Sequence, residues 1–366
     1  MRALVVGGTG PTGHFIVNGL RDRGYSVAIL HTGRHELDEI PDDVEHIHTD
    51  PFDEEAVRNA LGDRTFDVCI VTYGRLRRMA AVTVGKVGRF LSVGGVPAYR
   101  GYMNPELFRP AGLPVPTAED APLVREESDD TKGYRIVRTE EAVLDFHPTA
   151  AHFRYPYVYG PYQLAPREWC VVRRILDGRP FIILPDDGLT LHSFGYAGNL
   201  AHAVLLAVDQ PDASAGQIYN CADEEVLTLH QVALVIADAL ECDLDIVSMP
   251  WELAVPARPL LMQPLPTHRV LDLSKLKSQL GYRDVVAPRD ALALTARWLR
   301  EHPPEPGGME ETVLQDPFDY AAEDRLVESW RKALGSMAPA EFAVEPSYGL
   351  AYSGPGGRTP SKPEFS

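Results

Sequence analysis

The sequence predicts an α/β protein built on a doubly wound, parallel β-sheet. Short apolar runs alternate with amphipathic stretches along most of the 366-residue chain, and this alternation favours parallel strands joined by helices. The runs at residues 3–6 and 68–71 are apolar at consecutive positions, which is typical of strands buried on both faces of a sheet. The first run leads directly into a group of glycines and then into an amphipathic stretch.

That first turn, Gly7–Gly–Thr–Gly–Pro–Thr–Gly13, has the spacing of a dinucleotide-binding turn. Gly7 allows a tight turn, Gly10 lets the backbone approach a pyrophosphate, and Gly13 allows the helix to pack closely on the strand. The following helix, residues 14–23, would present its free N–H groups and positive dipole end to the phosphates. An ordinary βα turn is the alternative, but the order strand, turn, helix favours a Rossmann-type site. The other predicted cofactor contacts in this turn are Thr9, Pro11 and Thr12.

Further strands are predicted at residues 25–30, 44–48, 67–72, 88–93, 151–155, 182–184, 217–221 and 244–247. The longer amphipathic stretches predict helices at residues 131–146, 169–178, 200–208, 229–240, 290–302 and 318–334. We expect residues 1–160 to form the dinucleotide-binding domain, with 190–222 contributing. Residues 161–189 and 223–302 are predicted to form a smaller substrate-binding subdomain, and residues 303–366 an additional C-terminal tail.

The end of the second strand bears on the choice between NADP and NAD. An acidic residue there would bind the ribose 2′-hydroxyl of NAD, whereas a nearby arginine would accept the 2′-phosphate of NADP. This chain has Arg34 shortly after the strand and no acidic residue before Glu36, so NADP is favoured and NAD is the alternative. A solvated loop arginine is the other interpretation of Arg34.

Two other strand ends carry predicted cofactor contacts. Asp50, after the third strand, could accept a hydrogen bond from the adenine amino group or cap the helix that follows. Thr72 and Tyr73 follow the fourth strand and are also expected to contact the cofactor.

Composition excludes several classes of protein. With 45% hydrophobic and 24% charged residues the chain resembles ordinary globular proteins, and no apolar run approaches the ~20 residues of a membrane helix. A net charge of −17 disfavours nucleic-acid binding, although Arg75, Arg77 and Arg78 form a short basic patch. The N-terminus lacks a signal peptide and the four cysteines lack paired spacing. We therefore expect a cytoplasmic protein with reduced thiols, and we predict no metal site.

Two segments depart from the alternating pattern. Residues 100–127 are rich in proline and follow the fifth strand at the sheet edge where ligands bind, so they are predicted to form part of the substrate mouth or, alternatively, a surface excursion. The tail helix at 318–334 carries an apolar stripe that must be covered, because an isolated amphipathic helix is marginal in water. We expect an ordered tail that wraps the body or a neighbouring subunit. The residues that suggest this are Leu326, Val327, Trp330, Leu334, Phe342, Tyr348, Leu350 and Tyr352.

Together these pieces resemble the extended short-chain dehydrogenase/reductase superfamily, in particular atypical members of its NAD(P)-dependent epimerase/dehydratase family. The resemblance extends over residues 1–302. The matching pieces are the glycine turn, Asp50, Tyr99, Tyr134 on its helix, Arg154–Tyr–Pro–Tyr–Val–Tyr–Gly–Pro161, Phe194–Gly–Tyr–Ala–Gly–Asn–Leu200 and Asp272–Leu–Ser–Lys–Leu–Lys–Ser–Gln–Leu–Gly–Tyr282.

The resemblance implies a tyrosine that exchanges a proton during hydride transfer and a lysine four residues later that also holds the nicotinamide ribose. Tyr134 matches the tyrosine. Arg138 stands at the lysine position, which keeps the positive charge but changes its geometry. An exposed pair of side chains on the helix surface is the alternative.

The substrate half departs further from the family. The family serine near the end of the fifth strand falls on Gly94 and Gly95, and Ser92 is the nearest hydroxyl. The arginine that holds the diphosphate in sugar-nucleotide enzymes falls on His192, which could instead be a structural histidine. Tyr157 is a predicted cofactor contact. Tyr99 and Tyr159 are predicted to line the substrate pocket, and packing aromatics are the alternative.

Two function classes follow. The first is an NAD(P)-dependent oxidoreductase, epimerase or dehydratase that acts on a small hydroxy or keto substrate by hydride transfer, with Tyr134 as acid/base. The second is a catalytically weak, dinucleotide-binding scaffold or sensor of the same fold. The resemblance also implies a homodimer with a small-molecule substrate. The acidic net charge and the lack of a long apolar run predict no nucleic-acid or membrane partner.

Overall fold

The computed structural model describes residues 1–72 and 75–347, and these fall into two compact units that divide between Phe318 and Asp319. The described strands are β1 (Arg2–Val6), β2 (Ser26–His31), β3 (Glu45–His48), β4 (Phe66–Val71), β5 (Val87–Gly95), β6 (Ala151–Tyr155), β7 (Tyr157–Tyr159), β8 (Phe181–Pro185), β9 (Phe194–Tyr196), β10 (Ile218–Asn220) and β11 (Asp245–Met249). The described helices are α1 (Gly13–Asp22), α2 (Glu54–Leu61), α3 (Leu76–Thr83), α4 (Thr131–Phe146), α5 (Trp169–Leu176), α6 (Ala197–Asp209), α7 (Pro211–Ser214), α8 (Leu229–Ala239), α9 (Arg258–Leu261), α10 (Ser274–Leu280), α11 (Pro288–Glu301), α12 (Met309–Leu314) and α13 (Tyr320–Ser336).

Seven strands form one parallel sheet in the order β3-β2-β1-β4-β5-β6-β10. The order reverses between β1 and β4, so a crevice opens there at the carboxyl ends of the strands. Two small parallel sheets, β8 with β11 and β7 with β9, lie outside the main sheet. The predicted doubly wound, Rossmann-type fold is confirmed.

Each face of the sheet is covered by its own apolar layer, because successive side chains of a strand point to opposite faces. On one face Val5 of β1 packs with Ile16 of α1 and Val204 of α6. On the other face Leu4 packs with Val57 of α2 and Val143 of α4. The consecutive apolar positions in the sequence follow directly from this two-sided burial.

A buried charged network ties α4 to β6. Arg154 is 1% exposed and makes two hydrogen bonds to the carboxylate of Glu140, at 2.9 and 2.8 Å. The guanidinium also lies over the ring of Tyr99, 4.7 Å from its centroid. Burial alone would raise the pKa of Glu140, but the nearby His152 and the hydrogen-bonded Arg154 outweigh it and lower that pKa to about 2. The network therefore holds α4 against the sheet as an ion pair.

The proline-rich segment 100–127 is fixed to the body along its length. The backbone of Thr117 donates to Val270 at 2.7 Å, and the side chain of Asn220 donates to the carbonyl of Thr117 at 2.9 Å. Arg100 pairs with Asp129 at 2.8 Å. Tyr102 is the residue of this segment that reaches the cleft described below.

Residues 303–318, predicted as part of the tail, pack within the first unit. Trp169 of α5 donates to Glu311 of α12 at 3.0 Å, and Arg174 of α5 forms a buried ion pair with Asp316 at 2.7 Å. The predicted helix at 318–334 is present as α13, in the second unit. Of the tail residues singled out after this helix, Phe342 is exposed, whereas Tyr348, Leu350 and Tyr352 lie outside the described residues. The wrapping of the tail stays a prediction.

Among the described helices, none has both the length and the apolar character required to cross a lipid bilayer.

Candidate cofactor and substrate site

A cleft of about 1590 Å³ runs along the carboxyl edge of the main sheet. It is bordered at one end by the residues after β2 and at the other by those after β6. Among the described residues its lining comprises Gly7, Thr9, Gly10, Pro11, Thr12, His31, Thr32, His35, Thr72, Arg75, Leu76, Arg77, Arg78, Val93, Gly94, Gly95, Val96, Pro97, Tyr102, Thr131, Lys132, Arg135, Ile136, Thr139, His152, Tyr155, Pro156, Tyr157, Val158 and Gln163. A dinucleotide would lie in such a crevice.

The glycine turn after β1 is built for close approach. Gly7 has a φ of +89°, a conformation that favours glycine. A Cβ on Gly13 would lie 2.2 Å from the carbonyl oxygen of Gly7, so only glycine lets α1 sit this close to the turn. Thr9, Gly10 and Thr12 then line the cleft at the N-terminus of α1, where the helix dipole and free N–H groups favour a phosphate. These features fit the pyrophosphate of a nicotinamide dinucleotide.

The cleft is cationic although the whole chain is strongly acidic. Its described lining contains no Asp or Glu, against a net charge of −17 for the chain. It contains five Arg or Lys residues: Arg75, Arg77, Arg78, Lys132 and Arg135. Arg135 has a distant partner, Glu127 at 3.8 Å, and the carboxylates described elsewhere form no ion pair with Arg77 or Lys132. A cleft of this charge attracts an anionic ligand.

Helix α4 presents to the cleft a different face from the one predicted. Asp130 caps it by accepting hydrogen bonds from the backbone of Lys132 and Gly133, both at 3.0 Å. The cleft is lined from α4 by Thr131, Lys132, Arg135, Ile136 and Thr139. Tyr134 follows Lys132 by two residues, about 200° around the helix, and it is absent from the lining.

Arg138 is likewise turned away from the cleft. Its side chain is 58% exposed and pairs with Glu141 at 2.7 Å. The geometry therefore does not support the prediction that Tyr134 and Arg138 act as a catalytic pair. Sequence spacing correctly placed both on one helix, one turn apart, but could not fix how that helix is rotated against the sheet.

Ser92 also has a role other than the predicted one. It is 0% exposed, and its Oγ lies 2.8 Å from Nδ1 of His152. The predicted polarising hydroxyl is thus turned to a neighbouring strand, where it orients the imidazole. His152 Nε2 has no hydrogen-bond partner among the described residues, and the nearest oxygen of Glu140 is 3.5 Å away.

Gly94 makes room for that imidazole. A Cβ on Gly94 would lie 2.4 Å from Nε2 of His152, so the histidine takes the space that a side chain at position 94 would need. Gly94, Gly95 and His152 all line the cleft. The position at which the family has a serine is therefore occupied by a histidine from the next strand.

Gly94→Ala is expected to lower the free energy of unfolding by about 1–3 kcal/mol, because the methyl group overpacks this site. Urea unfolding of the full chain measures the loss, and Gly94→Ala combined with His152→Ala should recover part of it. Gly335→Ala is the matched control, since no atom lies within 4 Å of a Cβ at that position. Equal stability of the Gly94→Ala and Gly335→Ala variants would contradict the packing described.

Tyr102 and Tyr157 line the end of the cleft beside β6, and a cationic layer formed by Arg167 and Arg269 lies near them. His192 is 1% exposed and its Nε2 lies 3.0 Å from the hydroxyl of Tyr102. Burial, reinforced by the nearby Arg269 and Arg167, lowers the pKa of His192 well below its usual value. Both nitrogens Nη1 and Nη2 of Arg167, and Nη1 of Arg269, are buried without a hydrogen-bond partner among the described residues.

This cationic layer was found only in part from the sequence. His192 marked the position, but Arg167 and Arg269 were not identified. Arg167 lies 25 residues before His192 and Arg269 lies 77 residues after it, and only the fold brings them together. Buried guanidinium groups with unused donors are suited to a phosphate or carboxylate.

The remaining predicted residues divide between cleft and core. Thr72 lines the cleft, and its hydroxyl donates to the carbonyl of Val6 at 3.1 Å. Arg34 is exposed and lies between two lining residues, Thr32 and His35, without lining the cleft itself. Tyr73 lies outside the described residues.

Three predicted contacts have structural roles instead. Asp50 accepts a hydrogen bond from the backbone of Phe52 at 2.9 Å, which shapes the turn before α2, and it does not line the cleft. Tyr99 is buried and donates to Asn220 at 2.6 Å. Tyr159 is buried and donates to Asp223 at 2.7 Å. Both tyrosines thus occupy the positions expected of packing aromatics, which was the alternative interpretation.

Comparison with known proteins is consistent with this architecture. Residues 136–222 match the family described as NAD dependent epimerase/dehydratase family. The uncharacterized protein YbjS of Escherichia coli (strain K12) is 29% identical over 140 residues, which cover 33% of this chain and 42% of that protein. The aligned region thus spans less than half the length of this relative.

Solved structures share the fold at low sequence identity. A UDP-glucose 4-epimerase from Thermotoga maritima, with UDP-glucose, has a TM-score of 0.67 and 18% identity over 82% of this chain and 99% of its own. A dTDP-glucose 4,6-dehydratase from Bacillus anthracis, in complex with NAD, has a TM-score of 0.62 and 15% identity over 83% and 97%. A UDP-glucuronic acid 4-epimerase from Bacillus cereus, also with NAD, has a TM-score of 0.62 and 15% identity over 82% and 99%.

The matched segment contains most of α4, the strand β6 and the Tyr157 region, which contribute Ile136, His152 and Tyr157 to the lining of the cleft. The glycine turn and the strand order supply the cofactor side. The chain therefore shares the fold of these solved epimerases and dehydratases, and its residues 136–222 match the NAD dependent epimerase/dehydratase family.

Proposed function

We propose that this protein is an NADP-dependent oxidoreductase, epimerase or dehydratase that acts on a small, anionic hydroxy or keto compound. The observation that carries the proposal is the cleft itself: a large crevice at the carboxyl edge of the sheet, without described carboxylates, in an acidic protein. When bound, the nicotinamide would accept or donate a hydride. The protein's own residues would bind and orient the cofactor and the substrate, and would exchange the proton.

The cofactor would be held along the cleft by groups of three kinds. The turn with Gly7 and Gly13 and the N-terminus of α1 favour the pyrophosphate. Arg77 and its neighbours supply positive charge on the side of α3. Arg34, in the loop after β2, is proposed to contact the 2′-phosphate, because the adjacent Thr32 and His35 line the cleft.

Lys132 is proposed as the donor that faces the reacting oxygen. Its ammonium group stands at the first turn of α4 on the face that lines the cleft, and no ion pair to it is described. A lysine there would stabilise an oxyanion on the substrate and supply its proton. Tyr134 is not assigned the role of acid/base, because it lies off the lining.

The substrate is proposed to carry a phosphate or a carboxylate. Arg167 and Arg269 lie near Tyr102 and Tyr157 with unused guanidinium donors, and burial lowers the pKa of both. Burying two cations is unfavourable unless they are paired, and the described partner is a single carboxylate, Glu168, 2.9 Å from Arg167. An anionic substrate group would complete this arrangement.

A dinucleotide-binding sensor or scaffold is the second candidate. It is favoured by one observation: Tyr134 and Arg138 lie off the cleft, and Ser92 is bonded to His152. In that case the cleft would retain a cofactor without turning over a substrate.

The experiment that separates the two begins with the purified full chain. Denaturation should release NADP or NADPH, identified by absorbance and mass spectrometry. External cofactor is then tested with a panel of anionic ketones, alcohols and nucleotide sugars. We expect bound cofactor and cofactor-dependent turnover. Bound cofactor with no turnover across the panel would support the sensor, and no binding of either nicotinamide cofactor would overturn both.

Arg34→Ala and Arg77→Ala are expected to act differently on cofactor binding. Loss of one charge-assisted hydrogen bond costs about 1.5–3 kcal/mol, so affinity should fall about tenfold or more. Arg34→Ala should weaken NADPH and leave NADH unchanged, whereas Arg77→Ala should weaken both. Calorimetric titration measures the dissociation constants, with Arg58→Ala as control, because Arg58 is an exposed arginine of α2 paired with Glu54. An unchanged preference in Arg34→Ala would exclude Arg34 from the phosphate site.

A homodimer and a cytoplasmic location stay part of the proposal. The family resemblance supports the homodimer, and the lack of paired spacing among the four cysteines supports the location. Mass in solution tests the first.

A further inference from the structure

A cluster of three histidines and one glutamate lies at the outer edge of the sheet, where β2 and β3 end. His46 and His48 are two residues apart on β3, so their side chains share one face of the strand. His31, the last residue of β2, pairs directly with His48 in the parallel register. Glu36 comes from the loop after β2. No sequence motif marks this set, because its members come from two strands and a loop.

The four side chains converge on one point. One donor atom from each of the four residues lies within 4.8 Å of the others. Nδ1 of His46 is 3.2 Å from a carboxylate oxygen of Glu36, and Nε2 of His48 is 3.3 Å from the other. Nε2 of His31 is 3.1 Å from Nδ1 of His46 and 3.8 Å from Glu36. For metal–ligand bonds of ~2.0–2.1 Å, the donor atoms of a tetrahedral site are ~3.3–3.4 Å apart.

We propose that Glu36, His46 and His48, with His31 as the fourth ligand, bind a divalent transition-metal ion of the zinc class. Three imidazoles and one carboxylate favour zinc over magnesium or calcium, which prefer oxygen ligands. The carboxylate leaves one unit of positive charge on the bound ion, in a chain whose net charge is −17. The site needs no rearrangement of the strands, because the register of β2 and β3 already aligns the histidines.

His31 differs from the other ligands in its surroundings. It is buried, and its Nδ1 lies 3.4 Å from the backbone N–H of Gly33. A neutral imidazole that binds metal through Nε2 carries its proton on Nδ1, so this long contact must open when the ion binds. Gly33 has a φ of +72° and lies in a turn, where a small peptide rotation is feasible. Metal binding through His31 therefore costs some free energy, whereas binding through the other three ligands requires no such change.

The site borders the cleft, because His31 also lines it. The proposal nevertheless stands apart from the proposed activity. It rests on the four side chains alone, and its test does not require cofactor or turnover.

The test is metal binding by the purified full chain. The protein is stripped with chelator, loaded with Zn²⁺, dialysed, and analysed for metal by mass spectrometry. Co²⁺ replaces Zn²⁺ in a second sample, because tetrahedral Co²⁺ gives an intense visible absorption. We expect one metal ion per chain, the tetrahedral spectrum, and a melting temperature raised by zinc.

The variants then test the ligands. The combined His46→Gln and His48→Gln substitutions should abolish stoichiometric binding, the cobalt spectrum and the thermal shift, and Glu36→Gln should weaken affinity at least tenfold. His31→Gln should change the cobalt spectrum while weaker binding persists. His230→Gln is the control, since His230 lies on α8 and bonds to Asp187. Wild-type protein with less than stoichiometric zinc, or a double variant that binds like the control, would overturn the proposal and leave a hydrogen-bonded histidine cluster.

Discussion

Lys132→Met is expected to lower turnover about 10²–10³-fold, the usual loss when one donor to a developing oxyanion is removed. Methionine keeps the length and the aliphatic stem of lysine but removes the ammonium group. Because Lys132 is exposed in the first turn of α4 and makes no described side-chain bond, the fold should tolerate the change. The measurement is kcat/KM for whichever substrate emerges from the panel, with NADPH affinity determined in parallel. Affinity should change far less than turnover.

Tyr134→Phe is the matched comparison, because it removes the hydroxyl that the family resemblance marks as catalytic. Tyr134 lies about 200° from Lys132 around α4, so its loss should leave turnover within about twofold of wild type. A large loss in Tyr134→Phe together with little loss in Lys132→Met would contradict the orientation of α4 and restore the role implied by the resemblance.

Arg154→Met is expected to lower the free energy of unfolding by about 3–5 kcal/mol, because it leaves the buried carboxylate of Glu140 without its main partner. Arg154 is fully buried, bonds both oxygens of Glu140 and covers the ring of Tyr99. Urea unfolding followed by circular dichroism measures the change. Replacing both partners, as in Arg154→Met with Glu140→Met, should recover much of the loss, since a buried ion pair can often be exchanged for apolar side chains.

The control for this experiment is also on α4. Arg138 pairs with Glu141 at 2.7 Å, but its side chain is 58% exposed, so Arg138→Met should cost less than about 0.5 kcal/mol. If the two single variants lost equal stability, the buried network would not hold α4 against the sheet.

The same network predicts a pH dependence. In the folded protein the pKa of Glu140 is about 2, below the value of 4.5 for an unperturbed glutamate. Between these values the unfolded chain binds the proton more readily than the folded one, so stability falls as pH falls from about 4.5 toward 2. Above this window the contribution is constant. The double variant with Glu140→Met and Arg154→Met lacks this ion pair. Its stability should therefore fall less steeply in acid than that of the wild-type protein, as measured by thermal unfolding between pH 2 and 6.

The fold could be predicted from the sequence because each signal was local. The runs at β1, β2 and β4 are apolar on both faces, and Gly7 and Gly13 occur where a strand meets a helix. The same kind of signal predicted α4 at residues 131–146, which are the bounds that the structure shows, with Asp130 as its cap. The short strands β7 and β9 were not predicted, because three residues carry too little periodicity to be distinguished from a loop.

The site could be predicted only where backbone geometry dictates it. The glycine turn is such a place, and its residues line the cleft. Side chains that meet only in the folded protein were harder to predict. The rotation of α4 brings Lys132 to the cleft in place of Tyr134. His152, from another strand, fills the space beside Gly94. The histidines at the edge of β2 and β3 meet only through the strand register. These are tertiary relationships that spacing along the chain does not encode.

The most direct test of the central claim is a calorimetric titration of the full chain with NADPH, at low and at moderate salt. The cationic cleft predicts saturable binding at one site per chain, tighter for NADPH than for NADH and weaker as salt is raised. Absence of saturable binding for both cofactors would contradict the assignment of the cleft as a dinucleotide site.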